Sequence, residues 1–154
     1  MRIRPYQPED CAAVIRLFYQ TVHIINARDY TPSQLDAWAP AHADVHRWQS
    51  SLIGQTTYIA EDISGHIVGF GNIDTQGLLD CLYVHHAYQR QGIATALLAK
   101  LELQARAQGC TRIMTHASLT AQPFFAHHGF RVEKQQIVER KGIRMPNFIM
   151  IKPL

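Results

Sequence analysis

Between Leu82 and Leu98 the chain passes from an apolar stretch, Leu82-Tyr83-Val84, through a polar segment, His85 to Gln91, and straight into a run of helical spacing that begins at Gly92. The chemistry such a junction can do is anion binding. The first N–H groups of a helix have no carbonyl four residues back to bond, and the aligned peptide dipoles leave a partial positive charge there. Gly92 lacks a Cβ, so a phosphate oxygen can reach the backbone directly. Gln89, Arg90 and Gln91 add donors beside those amides, and Arg90 supplies a permanent, forked positive charge suited to phosphate. The ligand implied carries a pyrophosphate or several phosphates. A plain strand-to-helix connection that binds nothing shows the same local pattern. Neither G-x-x-x-x-G-K-[ST] nor, at this loop, G-x-G-x-x-G is present, so a Walker nucleotide site and a dinucleotide fold are both excluded.

The elements that must position this junction can be read from spacing and turn residues. Ile3 to Pro5 is a short strand, and Glu9-Asp10 open a helix with Val14, Leu17, Phe18, Val22 and Ile25 at helical intervals. Thr31 caps a second helix with Pro32 in its first position; it carries Leu35 and Trp38 and breaks at Pro40. Arg47 to Ile53 adds a further helical turn or two, ending at Gly54. Thr56 to Asp62 and Ile67 to Asp74 form a hairpin around Ser64-Gly65, and Gln76-Gly77 turns the chain into the strand Leu79 to Val84. The helix from Gly92 to about Gln108 places Ile93, Leu97 and Leu101 on one face, and Gly109 ends it. Arg112 to His116 is the next strand. Thr120 caps a short helix running to His128, with Phe124-Phe125 on its apolar side, and Gly129 stops it. Phe130 to Arg140 and Pro146 to Lys152 close a last hairpin around Lys141-Gly142. No repeat, linker or low-complexity tract interrupts this order, so one mixed α/β domain spanning residues 1–154 is expected.

Composition agrees with one domain: 154 residues, 47% of them hydrophobic, suffice for a single buried core. Met1-Arg2-Ile3-Arg4-Pro5 lacks the apolar run of a signal peptide, and no stretch approaches the roughly 20 apolar residues of a membrane span, so a soluble cytoplasmic protein is expected. Cys11, Cys81 and Cys110 are an odd, widely spaced set and read as reduced thiols. The net charge of +3 favours a polyanionic ligand, but the basic residues form no dense run, which gives nucleic-acid binding only weak support. Nine histidines invite a metal, yet His85-His86 and His127-His128 are adjacent pairs whose side chains should diverge, and no H-E-x-x-H or C-x-x-C accompanies them. No metal site is expected.

Gln89-x-x-Gly92-x-Ala94, following Leu82-x-Val84 and preceding a helix, resembles the acetyl-CoA signature of the GNAT N-acetyltransferase superfamily, Q/R-x-x-G-x-G/A. The order β-α-α-β-β-β-α-β-α-β-β is similar to the complete GNAT order, so the resemblance covers essentially the whole chain. Gly129-Phe130 matches a G-F pair that begins the penultimate strand, and Ala121 matches an alanine four residues before an aromatic position. The paired helices near Tyr30-Thr31-Pro32 and Trp38, with the Pro123-Phe124-Phe125 segment, look most like the small bacterial YafP-type members. The resemblance implies a mixed, mostly antiparallel twisted sheet flanked by helices, with acetyl-CoA as cosubstrate. It also implies a primary amine of a small molecule or peptide as acceptor, direct attack in a ternary complex, and a monomer or homodimer.

Carried onto these residues, the resemblance has Leu82 and Val84 pairing their backbone with the pantetheine arm as an added strand, with Tyr83 between them, and an N–H near Val84 polarising the thioester carbonyl. Gln89, Arg90, Gln91, Gly92, Ile93, Ala94 and Thr95 would hold the pyrophosphate. Phe125, on the cofactor side, stands where many members have a tyrosine that protonates the departing thiolate, and Ser118 where many have an asparagine. Phe125 has no proton to give. Water, Ser118 or Tyr83 must substitute for a group of a kind that typically speeds reactions by about 10²- to 10⁴-fold. Asp80 is the only carboxylate on the strand leading into the loop, and period 2 places it on the face of Leu82 and Val84, with Cys81 opposite and buried. Asp80 reads either as the general base or as a capping or ion-paired carboxylate at a strand start. A Cys81 nucleophile is disfavoured, because no His-Asp or His-Asn partner can be assigned to it.

Phe18, Tyr30 and Trp38 fall where the family builds its acceptor wall; as aromatics at helical spacing, Phe18 and Trp38 read by default as core. If they line a pocket, the acceptor is a small amine with apolar or aromatic character. No strongly acidic wall of the kind that cationic aminoglycosides require is found. Two rival functions remain: a GNAT-type toxin acetylating aminoacyl-tRNA, marked by salt-dependent RNA binding, and a non-catalytic acyl-CoA sensor, motivated by Phe125 and Ser118.

Overall fold

In the computed structural model, which describes residues 1–154, strand β1 (Arg2–Pro5) leads through a 3₁₀ turn at Pro8–Asp10 into α1 (Cys11–Ile25). Val14, Leu17, Phe18 and Val22 form the buried stripe of α1, at the intervals the sequence predicts. α2 (Pro32–Trp38) starts at the Thr31-Pro32 signal with a reciprocal cap: the Thr31 hydroxyl accepts from Gln34 N–H, and the Gln34 side chain accepts from Thr31 N–H. α3 (Val45–Gly54) is longer than the turn or two predicted, because Asp44 caps it by accepting from Arg47 N–H at 3.0 Å.

Then follow β2 (Thr56–Glu61), β3 (Ile67–Ile73), β4 (Leu78–Val84), α4 (Ile93–Ala107), β5 (Arg112–Ala117), α5 (Gln122–His127), β6 (Arg131–Arg140) and β7 (Ile143–Pro153). The seven strands form one sheet in the order β1-β2-β3-β4-β5-β7-β6, antiparallel at every pairing except β4 with β5. This is the mixed, mostly antiparallel sheet the resemblance implies. One core layer packs α1 and α2 against Ile59, Phe70 and Met145; the other packs α4 against Ile73, Leu79 and Ile113. A Cβ on Gly71 would lie 3.0 Å from Leu101 Cδ1, and one on Gly69 3.1 Å from Ile93 Cγ2, so bare backbone on β3 is what lets α4 approach. No helix is long and apolar enough to cross a membrane.

Two further features differ from the expectation. Thr120 does not cap α5: its hydroxyl donates to Asp29 at 2.8 Å, and the Ser118 hydroxyl accepts from Ala121 N–H at 3.0 Å instead. β7 starts at Ile143, three residues before the proline expected to open it. Pro146 is tolerated within the strand because its carbonyl turns away from β6 to accept from the Tyr30 hydroxyl at 2.7 Å; its nitrogen faces the same way, where no ladder partner is lost.

Candidate active site

β4 and β5 pair only at Leu78 with Met114 and Leu79 with Thr115, and then diverge. Beyond that point β4 has β3 on one side and a gap on the other. His85 N–H donates to the Val68 carbonyl on β3 at 2.8 Å, so antiparallel alternation turns the backbone groups of Leu82 and Val84 into the gap. The Val84 carbonyl is already engaged there, accepting from Thr21 Oγ1 at 3.3 Å and Gln89 Nε2 at 2.7 Å. A narrow cavity of about 50 Å³ occupies the opening, with Leu82, Tyr83, Ser118 and Phe125 on its walls.

Asp80 does not share a face with Leu82 and Val84. Ile73 pairs with Leu79 and Asn72 with Cys81, leaving Asp80 as an extra residue in a β-bulge. The bulge resets the alternation: Leu79, Leu82 and Val84 all pack toward α4, whereas Cys81 and Tyr83 pack toward α1. The Asn72 carboxamide compensates locally by accepting from Cys81 N–H at 2.9 Å. Asp80 itself is exposed at the mouth of the gap and accepts from Gln55 Nε2 at 3.1 Å. Cys81 is half-buried, and burial, with Asp80 second, pushes its thiol well above the usual range, the opposite of an activated nucleophile.

The loop after β4 makes a 3₁₀ turn at His86–Tyr88 before α4 begins. Gly92 is the N-cap residue in the left-handed region (φ 82°), with open space where a Cβ would stand. Arg90 is left-handed as well (φ 59°), a conformation that costs a non-glycine residue about 1–2 kcal/mol and curls the loop over the helix start. Arg90 and Gln91 are exposed, Ile93 is buried and Ala94 half-buried in the α4 core layer. The Gln89 carboxamide turns inward to the Val84 carbonyl and braces the strand end, so its Nε2 is not directed at a phosphate. Thr95 Oγ1 meets His128 Nε2 at 3.1 Å, tying α4 to α5. The paired histidines do not diverge: the His85 and His86 rings stack at 4.2 Å between centroids, and His127 and His128 meet edge-on at 5.2 Å. Divergence is a property of strand interiors, and His85-His86 lie in a turn while His127-His128 close a helix. Partial burial first, then the neighbouring His86, hold His85 below its ordinary pKa.

A second, larger cavity of about 680 Å³ opens on the α1–α3 side and shares Trp38, Leu79, Asp80, Tyr83, His116 and Ser118 with the narrow one. Aromatic rings build its walls: Phe18 lies 4.8 Å from Trp48 and 5.1 Å from Tyr83, and Tyr30 lies 5.4 Å from Trp38. Phe18 and Tyr30 are therefore both core and wall. The Tyr30 hydroxyl, accepting from Leu119 N–H while donating to Pro146, fixes β7 against the end of β5. Burial first, then the nearby Cys81, raises the Tyr83 phenol far above its usual pKa, so it keeps its proton. The Ser118 hydroxyl accepts from Ala121 N–H and from Asn26 Nδ2 at 3.4 Å, which leaves its own proton free to donate. Phe125 is buried between Phe124 and Phe130 with its edge on the narrow cavity.

The model of the acetyltransferase (GNAT) domain matches residues 26–152. The chain belongs to this family. It is 35% identical over 150 residues to the Escherichia coli (strain K12) protein named uncharacterized N-acetyltransferase YafP, covering 97% of this chain and 94% of that one. The crystal structure of a GCN5-related N-acetyltransferase from Rhodopseudomonas palustris superposes with a TM-score of 0.95 at 35% identity, covering 99% of this chain and 95% of that chain. The PaiA N-acetyltransferase of Thermoplasma acidophilum, solved in complex with coenzyme A, shares the fold with a TM-score of 0.81 at 18% identity, over 99% and 98% of the two chains. This GNAT chain is thus an acyltransferase of the N-acetyltransferase kind, and its YafP-type character is as the sequence implied.

Among the cavity residues that sequence reasoning missed are His116, Trp48, Arg140 and Asn147. His116 carried a local signal, as an ionisable residue two positions before Ser118 at a strand end. Arg140 and Asn147 carried none, because they reach the cavity only through the pairing of β6 with β7 and of β7 with β5.

Proposed function

We propose that the protein transfers the acetyl group of acetyl-CoA to the primary amine of a small molecule or peptide, by direct attack in a ternary complex. The observation that carries this reading is the wall shared by the two cavities. A donor lying in the β4–β5 gap and an acceptor in the aromatic cavity meet at Asp80, Tyr83, His116 and Ser118, with no covalent carrier between them. The backbone of Leu82 and Val84 faces the pantetheine arm, and the left-handed loop at Arg90 and Gly92 presents the α4 amides to the pyrophosphate. The coenzyme A complex of the PaiA relative supports the choice of donor.

The amine nitrogen adds to the thioester carbonyl carbon, the C–S bond breaks, and CoA leaves as a thiolate. Asp80, exposed at the mouth of the gap, takes the ammonium proton through water before attack. The thiolate receives a proton from water or Ser118; Tyr83, on the same wall, holds its proton and donates a hydrogen bond to the leaving sulfur, and Phe125 supplies none. Release of free CoA thiol from acetyl-CoA, assayed against a panel of amines, tests the reading. Asp80→Asn should lower kcat/KM for the amine about 10²-fold or more, most strongly below the amine's own pKa, with acetyl-CoA affinity preserved. His116→Gln, assayed alongside, separates the two ionisable groups at the wall. Acetyl-CoA binding without any amine-dependent thiol release would make the protein an acyl-CoA sensor and overturn the reading.

A further inference from the structure

Arg140 ends β6 inside the large cavity, half-buried and without a carboxylate partner. Its Nη1 lies 2.9 Å from the Met145 thioether, and its Cζ stands 5.7 Å from the centroid of the Trp38 ring. None of the chain's ion pairs includes it. The cavity's carboxylates are engaged elsewhere or open to water: Asp44 caps α3, Asp80 accepts from Gln55, and Glu139 is exposed. Arg140 lines the cavity together with Tyr30, Trp38 and Tyr83, which places it among the aromatic walls. Asn147 adds a second unsatisfied group: it is 6% exposed, and its side-chain Oδ1 is buried with no partner. It precedes Phe148, which pairs with Ala117, so it borders Ser118 at the reacting end of the cavity.

A guanidinium laid over an aromatic ring keeps its planar fork free for bidentate recognition of a carboxylate. We propose that the acceptor is an amine that also carries a carboxylate, of the aromatic amino acid type, with Arg140 as the residue that selects it. Its carboxylate pairs with Arg140 and its apolar part lies against Trp38, Trp48 and Phe18. The amine, beside Asn147 and Ser118, then points at the shared wall. This rests on the N-acetyltransfer reading above, which assigns the large cavity to the acceptor.

Trp38 and Trp48 are the chain's two tryptophans and both line this cavity, so intrinsic fluorescence reports its occupancy without turnover. Phenylacetate and 3-phenylpropionate are titrated against their primary amides, in the presence of CoA. Each acid should bind at least about tenfold more tightly than its amide. Arg140→Gln should erase that preference while acetyl-CoA affinity, by calorimetry, and the circular-dichroism spectrum stay unchanged; Arg140→Lys should keep part of it. Equal affinity of acid and amide for the wild type, a preference that survives Arg140→Gln, or no response to either acid at millimolar concentration would overturn the proposal. Should Arg140→Gln fail to fold, the wild-type comparison of acid with amide decides alone. Free-CoA release with L-phenylalanine and 2-phenylethylamine is read separately. Carboxylate preference without thiol release would defeat the transfer reading and leave the cavity assignment standing, whereas thiol release indifferent to the carboxylate would do the reverse.

Discussion

At the β1 end of the sheet, Arg4 gives its fork wholly to the chain, with Nε donating to Glu61 at 3.0 Å and Nη1 and Nη2 to Asp10 at 2.8 and 2.9 Å. Asp10 also accepts from Gln7 N–H at 2.8 Å, and the Arg4 guanidinium chiefly holds its carboxyl below the usual range. At the hairpin end of the same sheet, Arg140 is comparably sheltered and meets only a thioether and a ring. Neutral groups divide the same way. The buried Thr57 and Thr115 hydroxyls donate to Leu52 and Leu79 carbonyls at 2.8 and 2.9 Å, whereas Asn147 Oδ1 has no partner. A buried polar group left unpaired costs about 1–3 kcal/mol; Gln55 Oε1, Asn72 Nδ2 and His86 Nδ1 bear that cost as well, but of the four only Asn147 lies on the large cavity, where a ligand can complete its set. The paired Arg4, Thr57 and Thr115 therefore belong to the scaffold, and the unpaired Arg140 and Asn147, both on the large cavity, to the site.

If that division is right, changes at the site alter rate or affinity and leave stability alone, and changes in the scaffold do the opposite. The largest effect is expected at Tyr83: Tyr83→Phe should lower kcat about 10²-fold with little change in melting temperature. An unchanged kcat would show that the Tyr83 hydroxyl does not stabilise the leaving thiolate. Next comes Arg4→Met, which strands two sheltered carboxylates and should cost roughly 3 kcal/mol in urea unfolding, with kcat/KM intact under conditions where the variant is folded. Activity lost at full stability would erase the comparison.

The acid limb is a smaller effect with a definite sign. Because the folded state lowers the pKa of Asp10, its stabilising contribution is full above the unfolded value near 4 and disappears as the pH falls through the depressed folded value. Unfolding free energy of the wild type should therefore fall more steeply below pH 4 than that of Asp10→Asn; parallel curves would dissociate Asp10 from acid stability. The smallest effect is expected for Phe125→Tyr, which should keep the fold and raise turnover by less than about tenfold or shift its alkaline limb. A collapsed circular-dichroism spectrum would show that the contacts of Phe125 with Phe124 and Phe130 leave no room for a hydroxyl.

What could be read from sequence was local. Thr31-Pro32, Lys141-Gly142 and Gly92 each specify a cap or a turn within a few residues, and the structure has each where it was expected. The strand-loop-helix junction around Gly92 was legible for the same reason. The bulge at Asp80 was not, since a bulge is a property of register between two strands and Leu78 to Val84 alone alternates plausibly. Thr120 reads as the α5 cap on residue type; only the fold shows that it is drawn off to Asp29, 91 positions away in the chain, and that Ser118 takes its place. Arg140 and Asn147 look like any polar residues of a hairpin until β7 brings them to the cavity.

The central claim is that the Gly92 loop and the β4–β5 gap hold acetyl-CoA. Gly92 is left-handed with open space beyond its Cα, so Gly92→Asp would place bulk and negative charge where the pyrophosphate is assigned, while Gly92→Asn, which tolerates this backbone, adds bulk alone. Calorimetric titration of acetyl-CoA into the wild type, Gly92→Asn and Gly92→Asp, each first shown to be folded, is the most direct test. Saturable binding by the wild type, intermediate affinity for Gly92→Asn and a loss of at least about 100-fold for Gly92→Asp are predicted; wild-type affinity in a folded Gly92→Asp would contradict the account.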